Sequence, residues 1–283
     1  MNDNKEIFLC AICNIESGTC NEDCKFCTQS VKYKADIQRY KKKAIEQIVK
    51  EAKMAKENNA NGFCLVTAGK GLTDKRLAFV CEAAQAVKKE NLGLILIACN
   101  GTASVEQLET LKEAGVDAYN HNLETAQDFY KEIVTTHTWE ERYETCKNVK
   151  EVGLRLICGG IFGLGETQEQ RVSMLESIAS LEPMNVPLNF FHPNEALPLV
   201  ENSVSKEEAF ELITLARKMV PNAKKIMVAG GRELMFGDEQ YKIFEKGANA
   251  FVIGDYLTTQ GKSPKDDMHE LEKLGFKVAR ERN

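Results

Sequence analysis

Eight short apolar runs alternate with eight longer amphipathic stretches along nearly the whole chain, and this rhythm restricts the fold more than any other feature. The apolar runs fall at 7–12, 62–66, 94–99, 118–122, 155–161, 187–191, 225–228 and 250–253. The amphipathic stretches fall at 44–57, 74–89, 104–113, 139–151, 168–181, 206–220, 239–246 and 265–273. Within them the spacing of Leu175, Ile178 and Ala179, and of Phe210, Ile213 and Ala216, puts apolar side chains on one helix face. Strands alternating with such helices build a parallel sheet with helical crossovers. Eight repeats predict an α/β fold, a (β/α)8 barrel of the TIM type, with an open doubly wound sheet as the alternative. No Pro/Ser-rich linker, low-complexity tract or composition break divides the chain. Residues 1–283 therefore read as one domain, with a C-terminal helix from about 264. In a barrel of this kind the chemistry belongs at the C-terminal ends of the strands.

Composition narrows the partners. Hydrophobic residues make up 43% and charged residues 28% of the 283, enough for a sizeable core. With 37 Lys+Arg against 42 Asp+Glu the net charge is −5, which offers no attraction to nucleic acid or to an anionic membrane. The longest apolar stretches, 92–99 and 154–164, are shorter than the roughly 20 residues of a membrane span. MNDNKEIFLC lacks the basic start and apolar run of a signal peptide, so a cytoplasmic location is expected.

Cysteine is the anomaly: ten residues, five of them within the first 27. In a reducing compartment that density points to metal rather than to disulfides. Cys20, Cys24 and Cys27 form a C-x3-C-x2-C motif in the loop after the first strand. Three thiolates so spaced hold three irons of a cubane and leave the fourth open. Structural zinc is the alternative, with Cys10 and Cys13 as further ligands, although both lie in an apolar run that suits a core strand. Cys64, Cys99 and Cys158 lie in or at the ends of three other predicted strands. Any one of them could be a small buried hydrophobe. Three together, facing a barrel axis, predict a second and deeper metal site. Cys81 and Cys146 sit mid-helix and read as structural.

With this motif after strand one of an expected barrel, the chain resembles the radical S-adenosylmethionine superfamily and, within it, the biotin synthase family. The similarity runs from about Ile15 to Gly275, through ESGTCNEDCKFCTQS, YNHNLET at 119–125, ICGGIFGLGET at 157–167, VPLNFF at 186–191 and AGGRELMFG at 229–237. The resemblance implies a homodimeric barrel that converts dethiobiotin to biotin. S-adenosylmethionine is cleaved reductively to a 5′-deoxyadenosyl radical, and an auxiliary iron–sulfur cluster donates the sulfur. It assigns Cys20, Cys24 and Cys27 to a 4Fe–4S cluster, with flavodoxin or ferredoxin as the electron donor. It places Phe26 and Ile161 against the adenine, Asn122 and Glu124 near the ribose, and Arg142 on the methionyl carboxylate. Asn120, Asn122 and Asn189 match the family's substrate amides, and an amide supplies the donor and acceptor that a ureido ring requires. Cys64, Cys99 and Cys158 match the auxiliary-cluster cysteines.

The alternation of Asn120 and Asn122 turns His121 away from the interior, a structural position. His137, His192 and His269 show no partner pattern, with His192 of interest only for its place near a strand end. The Lys41–Lys43 run reads as a solvated face.

The chain departs from its family at the auxiliary site. There an arginine completes the ligands of a 2Fe–2S cluster, yet Met227 stands in its place, and Arg232 matches a different residue. Gly62, Asn185 and Ala250 stand where polar neighbours are usual, and Cys10 replaces a serine. Cys10 is therefore the candidate fourth ligand, in an all-cysteine site that would also suit a four-iron cluster. Cys13 competes with it, although strand alternation points Cys13 to the opposite face. Another radical enzyme of the same barrel, such as a hydrogenase-maturase-like relative, and a non-catalytic metal-binding protein are the competing functions.

Overall fold

The computed structural model describes residues 5–201 and 203–279. Its first strand, β1 (Glu6–Asn14), is followed by β2 (Gly62–Val66), β3 (Ile95–Cys99), β4 (Ala118–Asn120) and β5 (Arg155–Ile157). A short β6 (Gly160–Phe162) continues the stave of β5 after a two-residue break, and then come β7 (Asn185–Phe190), β8 (Lys225–Val228) and β9 (Ala250–Val252). Each stave pairs in parallel with the next, and β9 pairs back onto β1 through Cys10 and Val252. The sheet is a closed eight-stave barrel rather than the open alternative. A two-residue β10 (Lys277–Val278), too short for any periodic signal, pairs the start of β1.

The break in the fifth stave corrects the continuous strand expected at 155–161. A side chain at Gly159 would put its Cβ 1.8 Å from the Pro187 carbonyl oxygen, so only glycine lets the two backbones approach.

Helices cover the outside: α1 (Ile45–Glu57), α2 (Asp74–Lys89), α3 (Val105–Glu113), α4 (Tyr130–Ile133), α5 (Trp139–Glu151), α6 (Gln168–Ser180), α7 (Lys206–Met219), α8 (Arg232–Phe236) and α9 (Pro264–Lys273). The helix expected at 239–246 is instead a 3-10 turn over Gly237–Phe244, entered directly from α8. The one-turn α4 and α8 are too short to show a 3.6-residue period. Ser104, Thr138, Thr167 and Ser205 each close a capping box, with Gln107, Glu141, Gln170 and Glu208 reaching back. Each box satisfies orphan N–H groups at a helix start and so fixes where the preceding strand-end loop stops.

Strand alternation divides the core in two. Leu9, Leu65 and Leu96 face the helices, while Phe8, Cys10, Cys64, Ile97, Met227 and Val252 face the lumen. Both faces are dry, which is why the strands read as almost continuous apolar runs. Phe8 floors the lumen: its ring fits against the bare Cα of Gly62, with the Lys225 ammonium 4.7 Å from the ring centre.

Candidate active site

The long loop after β1 carries Cys20, Cys24 and Cys27 across the C-terminal mouth. Tight turns shape it: the Cys27 amide donates to the Cys24 carbonyl (3.0 Å), and Val31 N donates to the Cys20 carbonyl (2.8 Å). Asp23, inside the motif, pins the loop to the segment after α4. Its carboxylate accepts from Thr135 N (3.0 Å), Thr136 N (3.2 Å), Thr136 Oγ1 (2.9 Å) and the Thr135 hydroxyl. Burial works against the charge on Asp23, but these donors hold its carboxyl well below the usual range. Lys25 N donates to the Ile133 carbonyl (3.0 Å). His137, which has no partner pattern in the sequence, lies 2.8 Å from Glu22 through Nδ1 and is a second pin. His121 is buried and turned outward beside Tyr119, and His192 is exposed.

Burial pushes the thiols of Cys20 and Cys24 upward, and that of Cys27 to about 12. Three crowded thiols that resist ionisation become thiolates only when a cation neutralises them, which suits metal ligands. Among the described residues no three His, Cys, Asp or Glu side chains converge as a single-ion site requires. A cubane takes one thiolate per iron, so its ligands need not converge on a point.

The ends of β4 and β6 and the start of α5 meet beside this loop. Glu124 sits at φ +68°, a left-handed conformation that costs a non-glycine residue about a kcal/mol or more. Its Oε1 accepts from Arg142 Nη2 (2.8 Å), while its Oε2 is buried with no partner. Arg142 Nε donates to the Asn122 carbonyl (2.6 Å). Burial opposes its charge, yet Glu124 and its other neighbours hold the guanidinium firmly protonated. Ile161 N donates to the Glu124 carbonyl (2.7 Å), and Asn122 Oδ1 accepts from Gly159 N (3.1 Å). Asn122, Glu124, Arg142 and Ile161, far apart in sequence, thus form one cluster. Phe26 is half-buried against the core.

Below lies a second group of thiols on three adjacent staves. Cys10 is opposite Gly62, Cys64 is opposite Ile12, and Cys99 is opposite Val66. Each thiol therefore stands one pleat above the last, as a staircase up the lumen wall. Cys64 donates to Cys99, which raises the first thiol and lowers the second, and Asn120 Nδ2 lies 3.5 Å from Cys99 Sγ. Burial lifts Cys10 to about 12. Cys13 is on the outer face, 3.0 Å from Glu51 Oε2, with Lys43 beside it.

Cys158 does not join this group, which corrects the expected convergence of Cys64, Cys99 and Cys158. Its neighbour Ile157 faces the lumen, so Cys158 turns outward to α5 and lies 3.8 Å from Cys146. A shift of one residue moves a strand side chain to the other face. Met227 faces the lumen, whereas Arg232 is wholly buried outside it, held by Asp267 (3.1 Å) and Gln240 (2.7 Å). Asn189 uses its amide to tie the Gly160 carbonyl (3.1 Å) to Gly230 N (2.8 Å). Asn120 differs: its Oδ1 is buried without a partner. Tyr256, which no motif marks, also reaches this chamber, and its hydroxyl donates to Glu233 of the AGGRELMFG run (2.6 Å).

Comparison with known proteins agrees with this geometry. Residues 15–178 match the Radical SAM superfamily, and residues 187–277 match the Biotin and Thiamin Synthesis associated domain. Both segments lie within the one barrel. The chain is 66% identical to the biotin synthase of Aliarcobacter butzleri, covering 99% of this chain and 98% of the relative. It is 62% identical to that of Sulfurimonas denitrificans, covering 98% of each. Among solved structures, methylornithine synthase superposes with a TM-score of 0.84 at 21% identity, covering 98% of this chain and 84% of that one. The hydrogenase maturase HydG of Carboxydothermus hydrogenoformans gives 0.82 at 19%, covering 96% and 67%. At such identities the last two speak for the fold alone.

Proposed function

Because this chain belongs to the biotin synthase family of the radical S-adenosylmethionine superfamily, we propose that it inserts sulfur into dethiobiotin to form biotin. The observation that carries the reading is the stacking of two thiol sets in one barrel mouth: Cys20, Cys24 and Cys27 above, and Cys10, Cys64 and Cys99 below. Between them lie two buried oxygens without partners, Asn120 Oδ1 and Glu124 Oε2. Buried unpaired acceptors of this kind call for a polar ligand.

The residues fit the groups the family implies. Cys20, Cys24 and Cys27 would hold a 4Fe–4S cluster, and Cys10, Cys64 and Cys99 an auxiliary iron–sulfur cluster. When bound, the first supplies the electron that cleaves S-adenosylmethionine and the second supplies the sulfur. Arg142 would take the methionyl carboxylate, since a fixed guanidinium binds a carboxylate through two parallel hydrogen bonds. Glu124 and Asn122 accept from the ribose, while Phe26 and Ile161 offer apolar surface to the adenine. The Asn120 acceptor faces a ureido N–H, a pairing an amide oxygen makes without charge. The closed lumen below keeps water from the reacting carbons.

Three thiols of the lumen set stand on neighbouring strands, and Met227 replaces the usual arginine. With Cys158 turned away these are three thiols rather than the four of an all-cysteine site, so a four-iron or a 2Fe–2S cluster would keep one ligand position open, and iron analysis separates the two. We further assign the enzyme to the cytoplasm, as a homodimer reduced by a flavodoxin or ferredoxin; no helix among the described residues is long and apolar enough to cross a membrane.

The test is anaerobic protein, reduced and given S-adenosylmethionine and dethiobiotin. Biotin together with 5′-deoxyadenosine is expected. A colourless, zinc-loaded preparation without cleavage would support a metal-binding protein instead. Cleavage without biotin would point to another radical enzyme of this barrel.

A further inference from the structure

After β9 the chain crosses the barrel mouth as a strap, residues 254–262, before α9 begins. It is tied at several points: Ile253 N donates to the Cys10 carbonyl (2.9 Å), and Asn14 Nδ2 donates to the Leu257 carbonyl (3.2 Å). Thr258 Oγ1 lies 2.9 Å from Thr28 Oγ1, one residue past the cluster motif. From this strap Tyr256 leans into the lumen and packs on its apolar lining.

The ring is locked from outside. Its hydroxyl donates to Glu233 Oε2 (2.6 Å), and Glu233 Oε1 accepts from Arg232 Nη2 (2.9 Å) and Lys262 N (3.2 Å). Arg232 is itself immobilised, with no exposed surface and with Asp267, also fully buried, across from it. Gly261 lets the strap fold onto the ring, since a Cβ there would approach Tyr256 Cε2 at 3.2 Å and the Gly254 carbonyl at 2.0 Å. Three successive polar contacts thus fix an aromatic side chain that would otherwise rotate freely at a loop tip.

Its position gives it a use. In the stave order β1-β2-β3-β4-β5-β7-β8-β9, closed on itself, β4 and β9 stand four strands apart in either direction. The strap therefore leaves the barrel at the stave opposite the one that ends in Asn120, whose Oδ1 is buried without a partner. The lumen wall on its own side is lined by small residues, Ala229, Ala250 and Val252. Among the described residues the other aromatic in this lumen group is Phe8, at the floor.

Resting on the reading of the site as one for sulfur insertion into a cyclic urea, we propose that Tyr256 is a positioning residue that forms the wall opposite Asn120. Its ring presses the alkyl carbons of dethiobiotin toward the lumen thiols while Asn120 holds the ureido end. A rigid ring suits this task, because two χ angles cost little entropy to fix and the aromatic face excludes water.

Equilibrium dialysis of labelled dethiobiotin against cluster-loaded protein with S-adenosylmethionine tests this directly. Tyr256→Ala should weaken dethiobiotin binding by about tenfold and yield more 5′-deoxyadenosine per biotin, with iron content and S-adenosylmethionine affinity unchanged. Tyr256→Phe keeps the ring but frees it from Glu233, so its affinity should fall between those of wild type and Tyr256→Ala. Unchanged dethiobiotin binding and product ratio in a fully loaded Tyr256→Ala protein would overturn the proposal. So would a Tyr256→Phe variant as impaired as Tyr256→Ala, because the ring would then not matter. Wild-type protein that cleaves S-adenosylmethionine but neither binds dethiobiotin nor makes biotin would overturn the parent reading and this one with it.

Discussion

Single positions decide which of the strand cysteines face the lumen. Cys10 and Cys13 are three residues apart on one strand, and they end on opposite faces, one in the lumen and one against Glu51. Cys158 and Ile157 are adjacent and end likewise on opposite faces. The expected outcome is that Cys10→Ser loses auxiliary-cluster iron while Cys158→Ser keeps it, as read by iron and sulfide per chain on anaerobic protein. Equal loss from both would contradict the placement. Alternation was legible in the sequence for Cys10 and Cys13 because their strand is one regular run. It was not legible for Cys158, because the fifth stave breaks at Gly159 and the apolar run 155–161 carries no phase mark. The Asp23 clamp was hidden for another reason: its partners Thr135 and Thr136 lie more than a hundred residues away.

Elements hold these side chains in register. Most strand and helix positions were legible, since amphipathic stretches with Ser or Thr at their starts announce their own caps. The elements that escaped, α4, α8 and β10, are too short for periodicity to register. Among the caps, Thr138 bears on the proposed site, because α5 carries Arg142 one turn beyond it. Thr138→Ala should cost about 1 kcal/mol and lower the melting temperature by a few degrees. S-adenosylmethionine should bind several-fold more weakly as the first turn frays, with dethiobiotin affinity less affected. Full S-adenosylmethionine affinity in a measurably destabilised variant would show that Arg142 is held by Glu124 and Asn122 alone.

At the scale of the whole molecule, a closed barrel turns sequence-distant residues into one chamber. Its floor is sealed by Phe8, its wall carries thiols on three neighbouring staves, and its mouth is spanned by the cysteine loop and the Tyr256 strap. The two family segments, 15–178 and 187–277, supply different arcs of that single wall. Neither arc encloses the lumen alone. The barrel was legible in the eightfold alternation, but the crossing strap was not, because its ties are side-chain contacts within an irregular segment.

The sulfur of the product is expected to come from a cluster held in this lumen. The most direct measurement rebuilds the clusters with isotopically heavy sulfide, removes free sulfide, and weighs the biotin formed in a single turnover. Biotin heavier by the isotope difference is expected, and none of it from protein lacking the Cys10, Cys64 and Cys99 thiols. Biotin of natural mass from heavy-labelled protein would contradict it.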